Sequence, residues 1–594
     1  MKDRSYNYWT LFLLLHAIVI LPSDGFMSIG CNPLKSIPTQ LSLRHEVPTI
    51  ERTRVKHPNS LISIITQQLK LFSQAANRQN EVLEHSNVND KGAGVNTEGE
   101  NVHIITRIDQ DGKSRGLYVH IPYCRRRCNY CDFAIVPIGP HRNNNNEIEN
   151  NDSCNEDSTS NDNTANGSNK GFLKMDADYK NAILAEIRMI KATFTTSASS
   201  SSEKMPLRSI YFGGGTPSLA PLSTLRDIVF ALIHAENAPF TLQSDAEMTI
   251  EMDPGTFSLS TLSSLKELGF NRVSLGVQSF DDNILSIMGR VHRSRDVYRS
   301  IEMIKEVYGE DHANYSIDLI SGVPGLTLAG WTETLYEAVR LNPRPRHISL
   351  YDLQVEKGTA FGRWYADEYG EDLLRKAEDG DVVSQTHVGL DNLAKRRPSL
   401  PSSEDCAFMY RYASGYLRSM NYEHYEISSY AYIGEKETHR SRHNQIYWEI
   451  GGEWYAIGLG ATSKIDGVRF ARPRALVDYV KWSAVLKEES SKSGSYWTPP
   501  WLLVGEEDEE DELLDIVMTR LRTSDGLDLD WIAKNDLYGR SVVEDILRGF
   551  QLALDLDLGI RIPGSEFGYI KLKDPDGMLF SNNIISNIFV ELAL

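Results

Sequence analysis

The stretch Gly116-Leu-Tyr-Val-His-Ile-Pro-Tyr-Cys-Arg-Arg-Arg-Cys-Asn-Tyr-Cys-Asp-Phe133 decides how the rest of the chain is read. It sets three thiols, Cys124, Cys128 and Cys131, at Cx3Cx2C spacing directly after an apolar run, Leu117–His120, that reads as a strand. A loop at the C-terminal end of a barrel strand is where α/β barrels place chemistry. Structural zinc takes four closed ligands, and no fourth Cys or His stands nearby at matching spacing. A [4Fe–4S] cluster on three thiolates instead leaves one iron open, as a reactive cluster requires. The cationic run Arg125, Arg126 and Arg127 is expected to favour the thiolate forms. Six cysteines among 594 residues are too few for a disulfide scaffold and point to a reducing compartment; Cys31, Cys154 and Cys406 read as incidental.

Five more strands are read downstream, Ser209–Phe212, Met248–Glu251, Arg272–Val277, Tyr315–Ile320 and His347–Asp352. Helix-period segments alternate with them, such as Asp176–Ala192, Ser223–His234, Ser260–Leu268 and Val297–Tyr308. Six strand–helix units imply parallel strands and an α/β fold, a partial (β/α)6 barrel followed by a smaller, mainly helical C-terminal domain. Several strand ends carry polar residues. Gly213-Gly-Gly-Thr-Pro-Ser218 follows the second strand and, lacking side chains, is expected to expose backbone groups to a ligand. Glu251 ends the third strand before Pro254-Gly255, Gln278 ends the fourth, Arg290 and His292 follow it, and Asp318 lies in the fifth. The Glu251 carboxylate is expected to face the barrel mouth.

The cysteine spacing, with Tyr130 before the third Cys, resembles the signature of the radical S-adenosylmethionine (SAM) superfamily. That resemblance implies SAM bound to the open iron and cleaved by cluster electrons to a 5′-deoxyadenosyl radical, the cofactor carrying the chemistry and the protein the positioning. The glycine loop is similar to the superfamily's GGE-type loop. With His347-Ile-Ser-Leu-Tyr-Asp-Leu-Gln-Val-Glu-Lys-Gly-Thr359, the motifs resemble the oxygen-independent coproporphyrinogen III oxidase family, most nearly its HemW-type heme chaperones. By this resemblance the cluster ligands are Cys124, Cys128 and Cys131, and the SAM contacts are Tyr118, Tyr130, Gly214, Gly215, Thr216, Glu251, Gln278, Arg290 and Asp318.

The oxidases carry a fourth Cys two positions after the third, where this chain has Phe133. His443-Asn-Gln-Ile-Tyr-Trp448 is similar to the HNxxYW motif of the chaperone branch, which makes His443, with Tyr447 and Trp448, a heme candidate. The other reading of that motif is aromatic packing around a hydrogen-bonded His. Tyr425-Glu-Ile-Ser428 and Gly458-Leu-Gly-Ala-Thr-Ser463 also match, and Leu521–Leu529 resembles the family's C-terminal domain. The implied function is heme binding and transfer to acceptor hemoproteins, with an electron donor for the cluster. The alternative is oxidative decarboxylation of coproporphyrinogen III in porphyrin biosynthesis.

The net charge of −19 disfavours a broad nucleic-acid surface. Residues 1–26 read as a signal-like segment, with Lys2 and Arg4 ahead of the apolar run Trp9–Leu21, which is short for a membrane span. Residues 27–100 read as transit-like and largely disordered, with a basic, Ser/Thr-rich composition over 27–80. Together they resemble the two-part presequence of algae with complex plastids, Phe26 standing near the cleavage point; mitochondrion and cytoplasm are the alternatives. No stable membrane span is expected in the mature protein. The barrel is placed at 110–365, with a disordered insertion at 141–170, a further insertion at 366–404, a flanking region at 405–500 and the C-terminal domain at 510–594.

Overall fold

The computed structural model describes residues 113–139, 163–197, 204–365, 397–434, 438–491 and 509–592. The expected signal and transit segments and most of the two insertions lie outside these residues. Two boundaries move: helix Ser403–Ser419 begins inside the 366–404 stretch, and a helix, Asn163–Ser197, begins inside the 141–170 stretch. Its apolar face of Phe172, Tyr179, Ile183, Ile187 and Ile190 docks on the core and anchors a backbone that continues toward the N-terminus.

All six expected strands form, five of them somewhat longer than the sequence suggests and the sixth with the expected bounds: β1 (Arg115–Ile121), then the short β2 (Tyr123–Cys124) and β3 (Val136–Pro137), then β4 (Met205–Gly214), β5 (Phe240–Met252), β6 (Arg272–Gln278), β7 (Tyr315–Ser321) and β8 (His347–Asp352). Beyond them lie β9 (Tyr422–Glu426), β10 (Ser429–Tyr432), β11 (Glu453–Ile457), β12 (Thr462–Ile465) and β13 (Val468–Ala471). They make one sheet in the order β13-β12-β11-β1-β4-β5-β6-β7-β8-β10-β9. The stretch from β11 to β8 is parallel throughout, so β11 adds a seventh parallel strand beside β1. Antiparallel strands finish both ends of the sheet.

Parallel strands covered on both faces usually read as continuous apolar runs. Here they alternate. Leu117, Val119, Ile210, Phe212, Met248, Ile250, Val273, Leu275, Ile317 and Leu319 share one parity and lie in the main core. The other parity carries Tyr118, Tyr211, Glu251, Ser274 and Asp318 and faces the concave side. The alternation therefore separates a packed outer face from a polar, aromatic interior.

Residues 509–592 have a second core, including Leu513, Val517, Ile546, Phe550 and Ile588. This region is mainly helical, as expected, with a small antiparallel sheet of Leu527–Asp528, Gly559–Ile562 and Tyr569–Leu572. It is tied to the barrel by Asp574, which meets His424 at 2.7 Å and Arg418 at 3.1 Å. Among the described residues no helix is long and apolar enough to cross a membrane.

Candidate cluster and SAM site

Strand β1 delivers the chain to Cys124 in β2, and the loop to Cys131 is held by its neighbours. Asn129 donates its backbone N–H to the Met288 carbonyl at 2.8 Å, and its side chain donates to the Ile287 carbonyl at 2.7 Å. The three arginines act mainly as backbone clamps: Arg125 reaches the Gly255 carbonyl, Arg126 those of Gly289 and Arg290, and Arg127 those of Cys131 and Phe133. Of the three, Arg127 favours a thiolate, that of Cys131, as expected; Arg125 and Arg126 are not among the groups acting on Cys124 or Cys131. Burial dominates instead, pushing the Cys124 thiol up and the Cys131 thiol up to about 11, with Arg127 pulling only partly against it. Metal ligation would draw off these protons. Among the described residues no three His, Cys, Asp or Glu side chains close around a single ion. Cys124, Cys128 and Cys131 would hold a cluster rather than a single ion.

The glycine loop packs against this cysteine loop. Gly214 has φ +111°, and a Cβ there would stand 2.4 Å from the His120 ring; one on Gly215 would lie 2.6 Å from the Pro122 backbone. Gly214 is thus required by the His120 ring and its own positive φ, and Gly215 by close approach of the cysteine-loop backbone, before any question of ligand access. Gly215 and Thr216 donate their N–H groups to the carbonyls of Ile121 and Tyr123 at 2.8 and 2.6 Å. The Thr216 hydroxyl lies 3.8 Å from the Cys124 sulfur and donates to Asp253 at 3.3 Å.

Arg290 ties the cluster loop to the strand ends. It donates to the Cys128 sulfur at 3.6 Å, to the Tyr130 hydroxyl at 3.4 Å and to the Gly276 carbonyl at 3.0 Å, and it pairs with Asp253. Asp253 was not singled out in the sequence, although it stands two residues beyond Glu251, the spacing that returns a strand to the same face. Glu251 accepts from the Tyr211 hydroxyl at 2.8 Å and from the Gly214 N–H at 3.0 Å. Burial, with Asp318 nearby, pushes its carboxyl up to about 7. Asp318 is raised to about 6, again by burial, and accepts from Ser274 at 3.4 Å. Tyr118 meets His120 Nδ1 at 3.1 Å and stacks on Tyr211, with centroids 6.2 Å apart.

Two observations fit a polar ligand in this mouth. Gln278 Oε1 and Arg290 Nε are buried without a hydrogen-bond partner, which is costly unless a ligand supplies one. Gln278 also holds φ +66°, a backbone conformation that L residues rarely adopt and that tends to persist at functional sites. The sequence-predicted SAM contacts on these strand ends are thus gathered at one end of the parallel sheet, beside the cysteines.

The HNxxYW residues lie at the other end. Helix Arg442–Trp448 packs where β1 and β4 begin: a Cβ on Gly116 would lie 2.8 Å from Ile446 Cδ1 and 3.3 Å from His443 Nδ1. His443 is 3% exposed, and both ring nitrogens are engaged, Nδ1 with Ser209 Oγ and Nε2 with the Tyr447 hydroxyl, each at 2.8 Å. Burial pushes its imidazole down to about 3, so it is neutral. Axial ligation by His443 would require breaking one of these bonds.

A parallel sheet with three cysteines at its first strand end and a glycine loop at the next is the architecture of a radical SAM protein, and residues 118–337 match the Radical SAM superfamily model. That class works with a [4Fe–4S] cluster and SAM. The chain is 35% identical over 368 residues to the heme chaperone HemW of Synechocystis, covering 61% of this chain and 69% of that protein. It therefore belongs to the HemW family. HemW of Bacillus subtilis is 28% identical, over 62% of this chain and 75% of the relative. The Bos taurus relative, radical S-adenosyl methionine domain-containing protein 1, mitochondrial, is 28% identical over 58% and 59%. Among solved structures, coproporphyrinogen III oxidase (HemN) of Escherichia coli matches with a TM-score of 0.52 at 18% identity, covering 80% of this chain and 90% of that one, a likeness of fold.

Proposed function

We propose that this chain is a heme chaperone that binds heme and hands it to acceptor hemoproteins, with a cluster on Cys124, Cys128 and Cys131 and SAM in the adjoining mouth. The observation that carries the reading is its 35% identity to the HemW of Synechocystis, named a heme chaperone. Phe133, in the place where the oxidases carry a fourth Cys, is 52% exposed and leaves an apolar side chain beside the cluster loop.

When bound, the cluster supplies electrons to SAM at its open iron. The chain's own residues would do the rest. Glu251 would take ribose hydroxyls, Gln278 and Asp318 would offer further polar contacts, and Arg290 would hold the cysteine loop while facing Cys128 and Tyr130. Gly214, Gly215 and Thr216, with Tyr118, would shape the wall. A plastid address through residues 1–100 is part of the proposal, tested by a fluorescent fusion of that segment; mitochondrial import of the fusion would count against it.

The functional test uses anaerobically purified protein reconstituted with iron and sulfide. Heme uptake is followed by Soret absorbance and transfer to an apo-hemoprotein, alongside an assay of coproporphyrinogen consumption. Heme uptake and transfer without porphyrinogen turnover is expected. Robust decarboxylation would instead assign the chain to the oxidase reaction.

A further inference from the structure

The HNxxYW helix reaches the SAM mouth through a continuous set of contacts. His443 stacks on Tyr211 with ring centroids 5.0 Å apart and an interplanar angle of 23°. Its Nδ1 bonds Ser209, which precedes Tyr211 by two residues on the same strand face. The opposite side of the ring bonds Tyr447, which packs edge-on against Trp454 of β11 at 4.8 Å. Tyr211 in turn donates to Glu251 at 2.8 Å. There is little slack above the stack. A Cβ on Gly213 would lie 2.9 Å from Tyr211, 3.0 Å from Glu251 and 3.0 Å from Tyr118, so the glycine allows these three side chains to converge.

From this geometry we infer that helix Arg442–Trp448 is the floor of the SAM pocket and that His443 is a positioning residue, fixing Tyr211 and through it the Glu251 carboxylate. The inference rests on the reading that Glu251 faces SAM. A seven-residue helix has no stability of its own, so the surroundings must hold it. Ser441 Oγ accepts the Asn444 N–H at 3.3 Å at its start, and Arg520 of the C-terminal region donates to the Trp448 carbonyl at 2.9 Å at its end. The motif therefore also joins the C-terminal region to the strand that carries Tyr211. Heme ligation by His443 would ask the same two nitrogens to leave Ser209 or Tyr447.

The experiment is equilibrium dialysis of SAM against the reconstituted full chain, with a heme titration by Soret absorbance on the same samples. Tyr211→Phe removes one hydroxyl and keeps the ring; SAM affinity should fall about tenfold, the scale of a hydrogen bond to a charged group. His443→Ala should lower it about threefold to tenfold through the lost stacking and the freed Tyr211. His443→Phe, which restores the stacked ring, should recover part of that loss, while heme affinity stays level in all three. If His443→Ala loses heme and keeps full SAM affinity, the positioning role is overturned and the ligand role stands. If His443→Ala fails to fold, Tyr211→Phe carries the test, and unchanged SAM affinity there overturns the inference. Glu251→Gln separates the two levels: unchanged affinity in that variant sinks the placement of Glu251 at SAM, whereas a loss there with none in Tyr211→Phe sinks only the positioning link.

Discussion

A fully buried carboxylate and a half-buried one in the same molecule are treated in opposite ways. Glu186 is fully buried, and its oxygens meet Arg472 Nε at 2.7 Å, the Tyr479 hydroxyl at 2.6 Å and the Gly458 N–H at 3.1 Å. These bonds staple helix Asn163–Ser197 to the loop after β11, to the residue after β13 and to helix Leu476–Ser491. Glu251 meets only a tyrosine hydroxyl and one N–H among the described residues, with the like charges of Asp318 and Asp253 nearby. A structural carboxylate is closed by a cation. The one at the mouth has no cation beside it, and burial, with Asp318 nearby, raises its pKa.

The comparison can be broken by mutation. The largest effect is at the cluster beside Glu251: Cys128→Ala should abolish the visible charge-transfer absorption after reconstitution, and a fully retained band would contradict the ligand assignment. Next, Glu186→Gln leaves Arg472 without its counter-charge and should destabilise the fold by about 3–5 kcal/mol, read as a lowered midpoint in urea. Glu251→Gln should not destabilise near pH 8, where the native carboxylate carries a burial cost. An equal loss in both variants would erase the distinction.

The pH dependence sharpens the same contrast. Because the folded pKa of Glu251 is raised to about 7 from 4.5, its contribution to stability is fully present below about 4.5 and is lost as pH rises through about 7. Stability of the native chain relative to Glu251→Gln should therefore fall across that window. The charged and titratable groups facing Glu251 are Asp253, Asp318, Tyr118, Tyr211, Tyr351 and Tyr447, and all are retained in the variant. A flat difference between the two proteins would contradict the raised pKa.

Asp574 gives the smallest effect. Burial raises its carboxyl, but His424, Ser414 and Arg418 outweigh that and lower it overall. Its contribution is present above about 3.8 and lost as pH falls below it. Asp574→Ala should cost about 1–2 kcal/mol in the same urea assay, with SAM affinity unchanged.

The strand–helix alternation and the cysteine loop were legible because both are local: six short runs bounded by turns, and three thiols in one loop. Strand β11 was not, since pairing Glu453–Ile457 beside β1 joins segments more than 300 residues apart, and no local pattern encodes that register. Tyr211 was not singled out within the strand Ser209–Phe212. Only its parity with Gly213, and the register that sets it beside Thr249, put its hydroxyl within reach of Glu251. Helix Arg442–Trp448 is too short for periodicity to show, so His443 was legible as a motif residue but not as a part of the pocket floor. The glycine loop was found for its lack of side chains, yet the packing against Pro122 and His120 that demands it lay outside any local reading.

The most direct test of the central claim, that the mouth beside Cys124, Cys128 and Cys131 holds SAM on a cluster, is anaerobic SAM binding to the reconstituted native chain and to Cys128→Ala. Saturable binding by the native chain that perturbs the electron paramagnetic resonance spectrum of its reduced cluster, and is lost in the variant, is the predicted result. Equal SAM binding by both proteins, or a cluster spectrum indifferent to SAM, would contradict it.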